Sequence, residues 1–147
     1  MDFAIVNAEP RHIERLEAIE RECFSTPWTR EQLAGQLPDD KHVFLVAEVG
    51  GEAVGYVGMM YILDEGYISN VAVSAAFRRN GAADALIAEL LHRAAALELS
   101  FVTLEVREHN TPAKQLYKKQ GFIPVGKRKD YYEQPKEDAV LMTKFLK

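Results

Sequence analysis

Tyr67-Ile68-Ser69-Asn70-Val71-Ala72-Val73, Arg78-Arg79-Asn80-Gly81-Ala82-Ala83 and Phe101-Val102-Thr103-Leu104-Glu105-Val106-Arg107 are three pieces of the one stretch that decides the fold. The outer two are short runs rich in β-branched and aromatic residues, and they predict strands. From Gly81 onward, Leu86, Ile87, Leu90, Leu91, Ala94 and Leu97 fall on one face of a helix. A strand, a crossover helix and a parallel strand make a right-handed unit whose helix covers the sheet. A mixed α/β architecture organised around residues 67 to 107 is therefore expected.

Working outward, Phe3 to Asn7 predicts a first strand. Pro10 opens a helix whose apolar positions Ile13, Leu16 and Ile19 recur every three residues. Phe24 to Trp28 breaks that pattern. Thr29 followed by Gln32 is a capping box, with Trp28 placed before the cap, so a second short helix is expected to run to about Leu37. Val43 to Val49, Gly50-Gly51 and Ala53 to Tyr61 predict a β-hairpin with a two-residue glycine turn. Asn110 can cap a helix with Pro112 in its first turn and Gly121 at its end. Phe122 to Val125 and Ala139 to Phe145 complete the strands. The order is βααβββαβαββ, a mixed sheet with helices on both faces, and the 147 residues are expected to form a single domain.

Composition excludes several classes. With 48% apolar and 27% charged residues the chain resembles ordinary globular proteins rather than disordered or fibrous ones. Its longest apolar-rich stretch, Ala82 to Leu99, is interrupted by Asp84, Glu89, His92, Arg93 and Glu98, so no membrane span is expected. The N-terminus lacks the basic and apolar regions of a signal peptide, and a cytoplasmic location follows as the expectation. Cys23 is the only cysteine, which rules out an internal disulfide. His12, His42, His92 and His109 show no metal-ligand spacing, so no metal is expected. The net charge of −4 argues against a broad nucleic-acid grip. Residues 105 to 136 nevertheless carry eight Lys/Arg against four Asp/Glu, which fits either a polyanion contact or a solvated face. A monomer is favoured.

Three features carry chemistry. Arg78 to Ala83 lies between a strand and a helix, where small residues bare the N–H groups of a helix N-terminus. That is either a simple turn or a phosphate site. No Gly-Lys-Ser/Thr follows, which excludes a Walker A loop. Glu105, in mid-strand, is by its residue type alone a solvated or ion-paired glutamate or a general base. Tyr117, on the helix capped by Asn110, is either a core aromatic or a proton donor.

The order of elements, with Arg78-x-x-Gly81-x-Ala83 opening the helix after the fourth strand, resembles the GNAT acetyltransferase fold. The chain is similar in particular to the bacterial ribosomal-protein-alanine N-acetyltransferases. The likeness runs through Phe24-Ser25-Thr26-Pro27-Trp28, Asn70-Val71-Ala72-Val73, Leu104-Glu105-Val106-Arg107, Asn110, Leu116-Tyr117, Gly121-Phe122, Tyr131-Tyr132 and Glu137-Asp138-Ala139. Ala82-Ala83-Asp84 departs from it, since many relatives carry a second glycine and a basic residue there.

The resemblance implies a mostly antiparallel sheet whose fourth and fifth strands splay apart, with acetyl-CoA entering the gap. It implies cofactor contacts from Val71, Ala72 and Val73, from Arg78, Arg79, Asn80, Gly81, Ala82, Ala83 and Asp84, and from Asn110. It makes Glu105 the general base and Tyr117 the general acid. Phe24, Trp28, Tyr131 and Tyr132 would hold the acceptor. The implied reaction is acetyl transfer to the N-terminal α-amine of a protein, by family likeness the alanine of the eighteenth small-subunit ribosomal protein. Rival readings are a GNAT enzyme acting on lysine or a small amine, and a non-catalytic acyl-CoA sensor on the same fold.

Overall fold

The structure, a computed structural model, describes residues 2–147. Its elements are β1 (Ala4–Asn7), α1 (Ile13–Cys23, entered through a 3-10 turn at Pro10–His12), α2 (Arg30–Ala34), β2 (His42–Val49) and β3 (Glu52–Ile62). They continue with β4 (Glu65–Val73), α3 (Ala82–Ala96), β5 (Phe101–Arg107), α4 (Thr111–Lys119), β6 (Ile123–Glu133) and β7 (Lys136–Phe145). One seven-stranded sheet has the order β1-β2-β3-β4-β5-β7-β6, and β4 and β5 form its one parallel pair among the described residues.

Both faces of the sheet are covered, and β2 records this in its sequence. Val43, Leu45 and Ala47 face the core made with Leu86, Ile87, Leu90 and Ala94 of α3, whereas Phe44 and Val46 face the core made with Ile13, Leu16 and Ile19 of α1 and Leu33 of α2. A strand buried on both sides loses its polar alternation, which is why this one is almost continuously apolar. The hairpin from β2 to β3 turns at Gly50 and Gly51, with φ of +60° and +82°, the left-handed pair that a tight turn between twisted strands requires.

The feature that shapes the site is a register fault. Gly58 pairs with Asn70 but Met59 pairs with Ile68, so Ser69 is an extra residue in β4, a β-bulge that bends the strand. Pairing between β4 and β5 is confined to Glu65–Tyr67 against Phe101–Thr103. Beyond it β4 leaves with β3, while β5 stays with β7 along its whole length, from Phe101↔Phe145 to Arg107↔Ala139. The expected splay of the fourth and fifth strands is present.

Two boundaries differ from expectation. Helix α2 stops at Ala34 rather than near Leu37, because Gln36 and Leu37 donate to the carbonyls three residues back and tighten into turns. Strand β6 was expected to be only Phe122 to Val125 and instead runs to Glu133, with β7 starting at Lys136 rather than Ala139. Nearly every residue of β6 is exposed, so the period-two burial signal is missing. It is an edge strand, guarded by Pro124, two register shifts and the charged run Lys127-Arg128-Lys129.

Candidate active site

The parting of β4 from β5 opens a cleft of about 730 Å³. Ile68 to Val71 form one wall and Leu104 to Arg107 the other; Asn110 before α4, Ala113 and Tyr117 within it, Cys23 to Thr26 from the end of α1 onward and Tyr131 to Gln134 complete it.

Backbone direction decides what the β4 wall offers. Successive residues of a strand aim their peptide groups to opposite sides. Ser74 donates its N–H to the Val54 carbonyl of β3 (2.8 Å), so Val71 and Val73 turn theirs toward the gap. The Val73 carbonyl already accepts from Arg78 Nε (3.1 Å) and Cys23 Sγ (3.5 Å). Ala72 packs its side chain into the core under α1.

At the far end stands the N-terminus of α3. Gly81, at φ +87°, starts it in the left-handed region, and a Cβ there would meet nothing within 4 Å. Ala85 donates to the Gly81 carbonyl (3.0 Å), so the N–H groups of Ala82, Ala83 and Asp84 precede the first intrahelical bond. Such donors and the helix dipole suit a phosphate. The side chains around them are engaged elsewhere. Arg78 bonds Val73 and, through Nη2, Cys23 Sγ (3.2 Å); Asn80 bonds the Arg78 carbonyl (3.2 Å); Asp84 meets Lys119 (3.4 Å) at the end of α4 and Gln120 (3.2 Å) just past it. Arg79, at φ +65°, is exposed. None of Arg78 to Asp84 lines the cleft itself.

Glu105 reaches the cleft from β5 because alternation sends Val102, Leu104 and Val106 into the core and Phe101, Thr103, Glu105 and Arg107 to the other face. Its carboxylate is partly exposed and paired with Arg128 of β6 (3.3 Å). Tyr117 arrives from α4, which Asn110 caps by accepting the Ala113 N–H (3.2 Å). Its ring stacks edge-on to Phe122 with centroids 5.8 Å apart. Burial, and then the nearby Tyr132, push its pKa up to about 12.

The third wall is the end of β6. Tyr131 and Tyr132 meet edge-on at 5.0 Å, and burial raises Tyr132 to about 12 as well. Arg107, absent from the expected site residues, fixes this wall. Its guanidinium lies 4.3 Å over the Tyr132 ring, donates to the carbonyls of Pro135 (2.8 Å) and Gln134 (3.2 Å), and pairs with Glu137 (3.2 Å). Ser25 donates to the Gln134 carbonyl (3.2 Å) across the mouth, joining the loop after α1 to the turn between β6 and β7.

Phe24, Val71, Glu105, Asn110, Tyr117, Tyr131 and Tyr132 thus line one cleft. Trp28 does not; it packs with Phe24 and Leu37 on the α1 core, and its backbone N–H donates to Glu20 Oε1 (2.7 Å). Glu20 is wholly buried, and its second oxygen accepts from Asn70 Nδ2 (3.1 Å). The signal for Glu20 was a carboxylate four residues after Leu16, on the apolar stripe of α1. Among the described residues no group of three or more His, Cys, Asp or Glu could hold a metal ion.

A family model described as Acetyltransferase (GNAT) family matches residues 13–122. The chain is similar to a [ribosomal protein bS18]-alanine N-acetyltransferase of Haemophilus ducreyi, 33% identical over 135 residues, covering 90% of this chain and 92% of the relative. It is similar also to an N-alpha-acetyltransferase of Sulfurisphaera tokodaii, 30% identical over 154 residues, covering 96% and 92%. The crystal structure of the ribosomal-protein-S18-alanine N-acetyltransferase from Escherichia coli superposes with a TM-score of 0.91, covering 99% of this chain and 94% of that one at 24% identity, a likeness of fold.

Proposed function

We propose, from the premise that the chain belongs to the acetyltransferase (GNAT) family and is an acetyl-CoA-dependent enzyme of that kind, that its acceptor is the N-terminal α-amine of a protein. The specific acceptor we infer is the N-terminal alanine of ribosomal protein bS18. The observation that carries the reading is that Glu105 from β5 and Tyr117 from α4 line the same cleft, where β4 and β5 cease to pair. The relatives that carry the bS18-alanine and N-alpha-acetyltransferase descriptions support the choice of acceptor.

Acetyl-CoA, when bound, supplies the thioester whose acetyl group is transferred. The Val71 peptide group and the Val73 N–H would pair with its amides as a neighbouring strand would. The bare N–H groups at Ala82 to Asp84 would meet its phosphates. Glu105 takes a proton from the attacking amine, directly or through a water. Tyr117, held protonated by burial, donates toward the departing sulfur. An α-amine asks less of the base than a lysine, because its ordinary pKa is about 7.7–8.0 against about 10.4.

Incubation with acetyl-CoA and a panel of peptides of defined N-terminus, followed by intact-mass analysis, tests the reading. A gain of one acetyl group on free-amine, alanine-first peptides is expected. Acetyl-CoA binding without transfer to any amine would replace it with a sensor.

A further inference from the structure

Two polar side chains stand on the β4 wall: Ser69 donates its hydroxyl to the Gly58 carbonyl (3.2 Å), and Asn70 is oriented by groups outside the cleft while keeping an acceptor to offer. It follows the Ser69 bulge, which brings it to the face shared with α1. There its Nδ2 donates to Glu20 Oε2 (3.1 Å) and approaches the Tyr56 hydroxyl (3.5 Å). Glu20 is 0% exposed, and its other oxygen is occupied by the Trp28 N–H. Burial raises the pKa of this carboxyl, while the hydrogen bonds from Trp28 and Asn70 oppose the rise. A carboxylate accepts and does not donate, so only the Nδ2 end of the carboxamide can face it. Asn70 itself lines the cleft, across the gap from Glu105, and none of the hydrogen bonds among the described residues uses its Oδ1.

We propose that Asn70 Oδ1 accepts a hydrogen bond from the acceptor's amine, with Glu20 as the positioning residue that locks the carboxamide in that sense. The inference rests on the acetyltransferase reading and adds a substrate contact to it. The chemistry is complementary. An attacking amine keeps N–H groups after one proton has left for Glu105, and an acceptor fixed on the opposite wall directs the remaining N–H away and the lone pair into the gap. The Trp28 bond ties the loop that carries Phe24 and Ser25 to the same carboxylate, so the mouth and this contact share one anchor.

Steady-state kinetics with whichever amine the wild-type enzyme acetylates best, chosen from alanine-first peptides, blocked lysine peptides and polyamines, tests the proposal. Asn70→Ala is expected to lower kcat/KM for that acceptor roughly 10-fold or more, the loss expected for a hydrogen bond to a reacting amine, with acetyl-CoA affinity unchanged by calorimetry. Glu20→Gln keeps an oxygen for the Trp28 N–H but presents its own NH₂ to Asn70, forcing the carboxamide to turn its Nδ2 into the cleft. It should therefore reproduce the Asn70→Ala loss, and the double variant should be no worse than Asn70→Ala alone, within about twofold. A folded Asn70→Ala enzyme with near-normal acceptor kinetics overturns the contact. Losses that multiply in the double variant, or that appear equally in acetyl-CoA affinity and melting temperature, overturn the link through Glu20. Preference for lysine or a polyamine would overturn the α-amine reading while leaving Asn70 tested on that amine.

Discussion

Glu105 and Tyr117 come from elements with different reasons for reaching the cleft, and their environments differ accordingly. Glu105 is partly exposed beside Arg128, whereas Tyr117 is buried against Phe122. Glu105→Gln and Tyr117→Phe should each lower kcat by roughly 10²–10⁴-fold with little change in acetyl-CoA affinity, since each removes one proton-transfer group. Stopped assays with chemistry rate-limiting check this; near-normal turnover in both variants would displace the assigned acid and base. The Tyr117 pKa of about 12 adds a sign that can be read. A phenol raised to that value stays protonated through the working range, so it contributes no limb to the kcat/KM profile below about pH 10, near the ordinary tyrosine pKa. Tyr117→Phe should lower that profile without changing its shape. The Glu105→Gln deficit, by contrast, should shrink toward high pH, where the acceptor amine deprotonates unaided. Motifs made these two residues visible in the sequence, but nothing there marked Arg107 as the clamp on the β6–β7 turn, because its partners are backbone carbonyls 27 and 28 residues away.

At the scale of elements, the cleft exists because one strand changes partners. β5 remains paired to β7 over seven residues and to β4 over three, and the Ser69 bulge bends β4 just where that pairing ends. Runs rich in β-branched and aromatic residues predicted β4 and β5, but a bulge leaves no mark in composition, so the splay could be expected only from the likeness to a family. Strand β6 was legible only at its first residues for a related reason: an edge strand exposed on both faces has no buried side to generate a period. Gly81, in contrast, was legible and has a specific geometry. At φ +87° any L side chain is strained by about 1–2 kcal/mol, yet no protein atom lies within 4 Å of the Cβ position. Gly81→Val should therefore fold with a modestly lower melting temperature, while its side chain projects beside the N–H groups that would meet the phosphates. Calorimetric titration should find weaker acetyl-CoA binding. Unchanged affinity in a folded variant would mean the start of α3 is an ordinary turn.

Across the whole molecule the question is which amine the cleft admits. Five of the eight basic residues of the segment 105 to 136, Arg107, Lys119, Lys127, Arg128 and Lys136, are each paired with a carboxylate. Exposed pairs of this kind add little stability and weaken the local field of the basic side chains they engage. On the proposed reading the acceptor is selected by shape and protonation. Ser25 bound to Gln134 bridges the mouth, and Tyr131, Tyr132 and Phe24 narrow what lies behind it. An extended chain end with a small first side chain suits that space. The free-base fraction of an α-amine at neutral pH exceeds that of a lysine by a few hundredfold, roughly, from their ordinary pKa values. A peptide beginning with alanine should therefore be acetylated at its α-amine, and an N-terminally blocked copy with internal lysines should react far more slowly. A bulky first residue should lose rate, and shortening the peptide should lower kcat/KM if later residues also bind in the transition state. Fragmentation mass spectrometry locates the acetyl group. Faster reaction of the blocked lysine peptide or of a free polyamine would reassign the acceptor to a side-chain or small-molecule amine, and would leave the acetyl transfer itself in place.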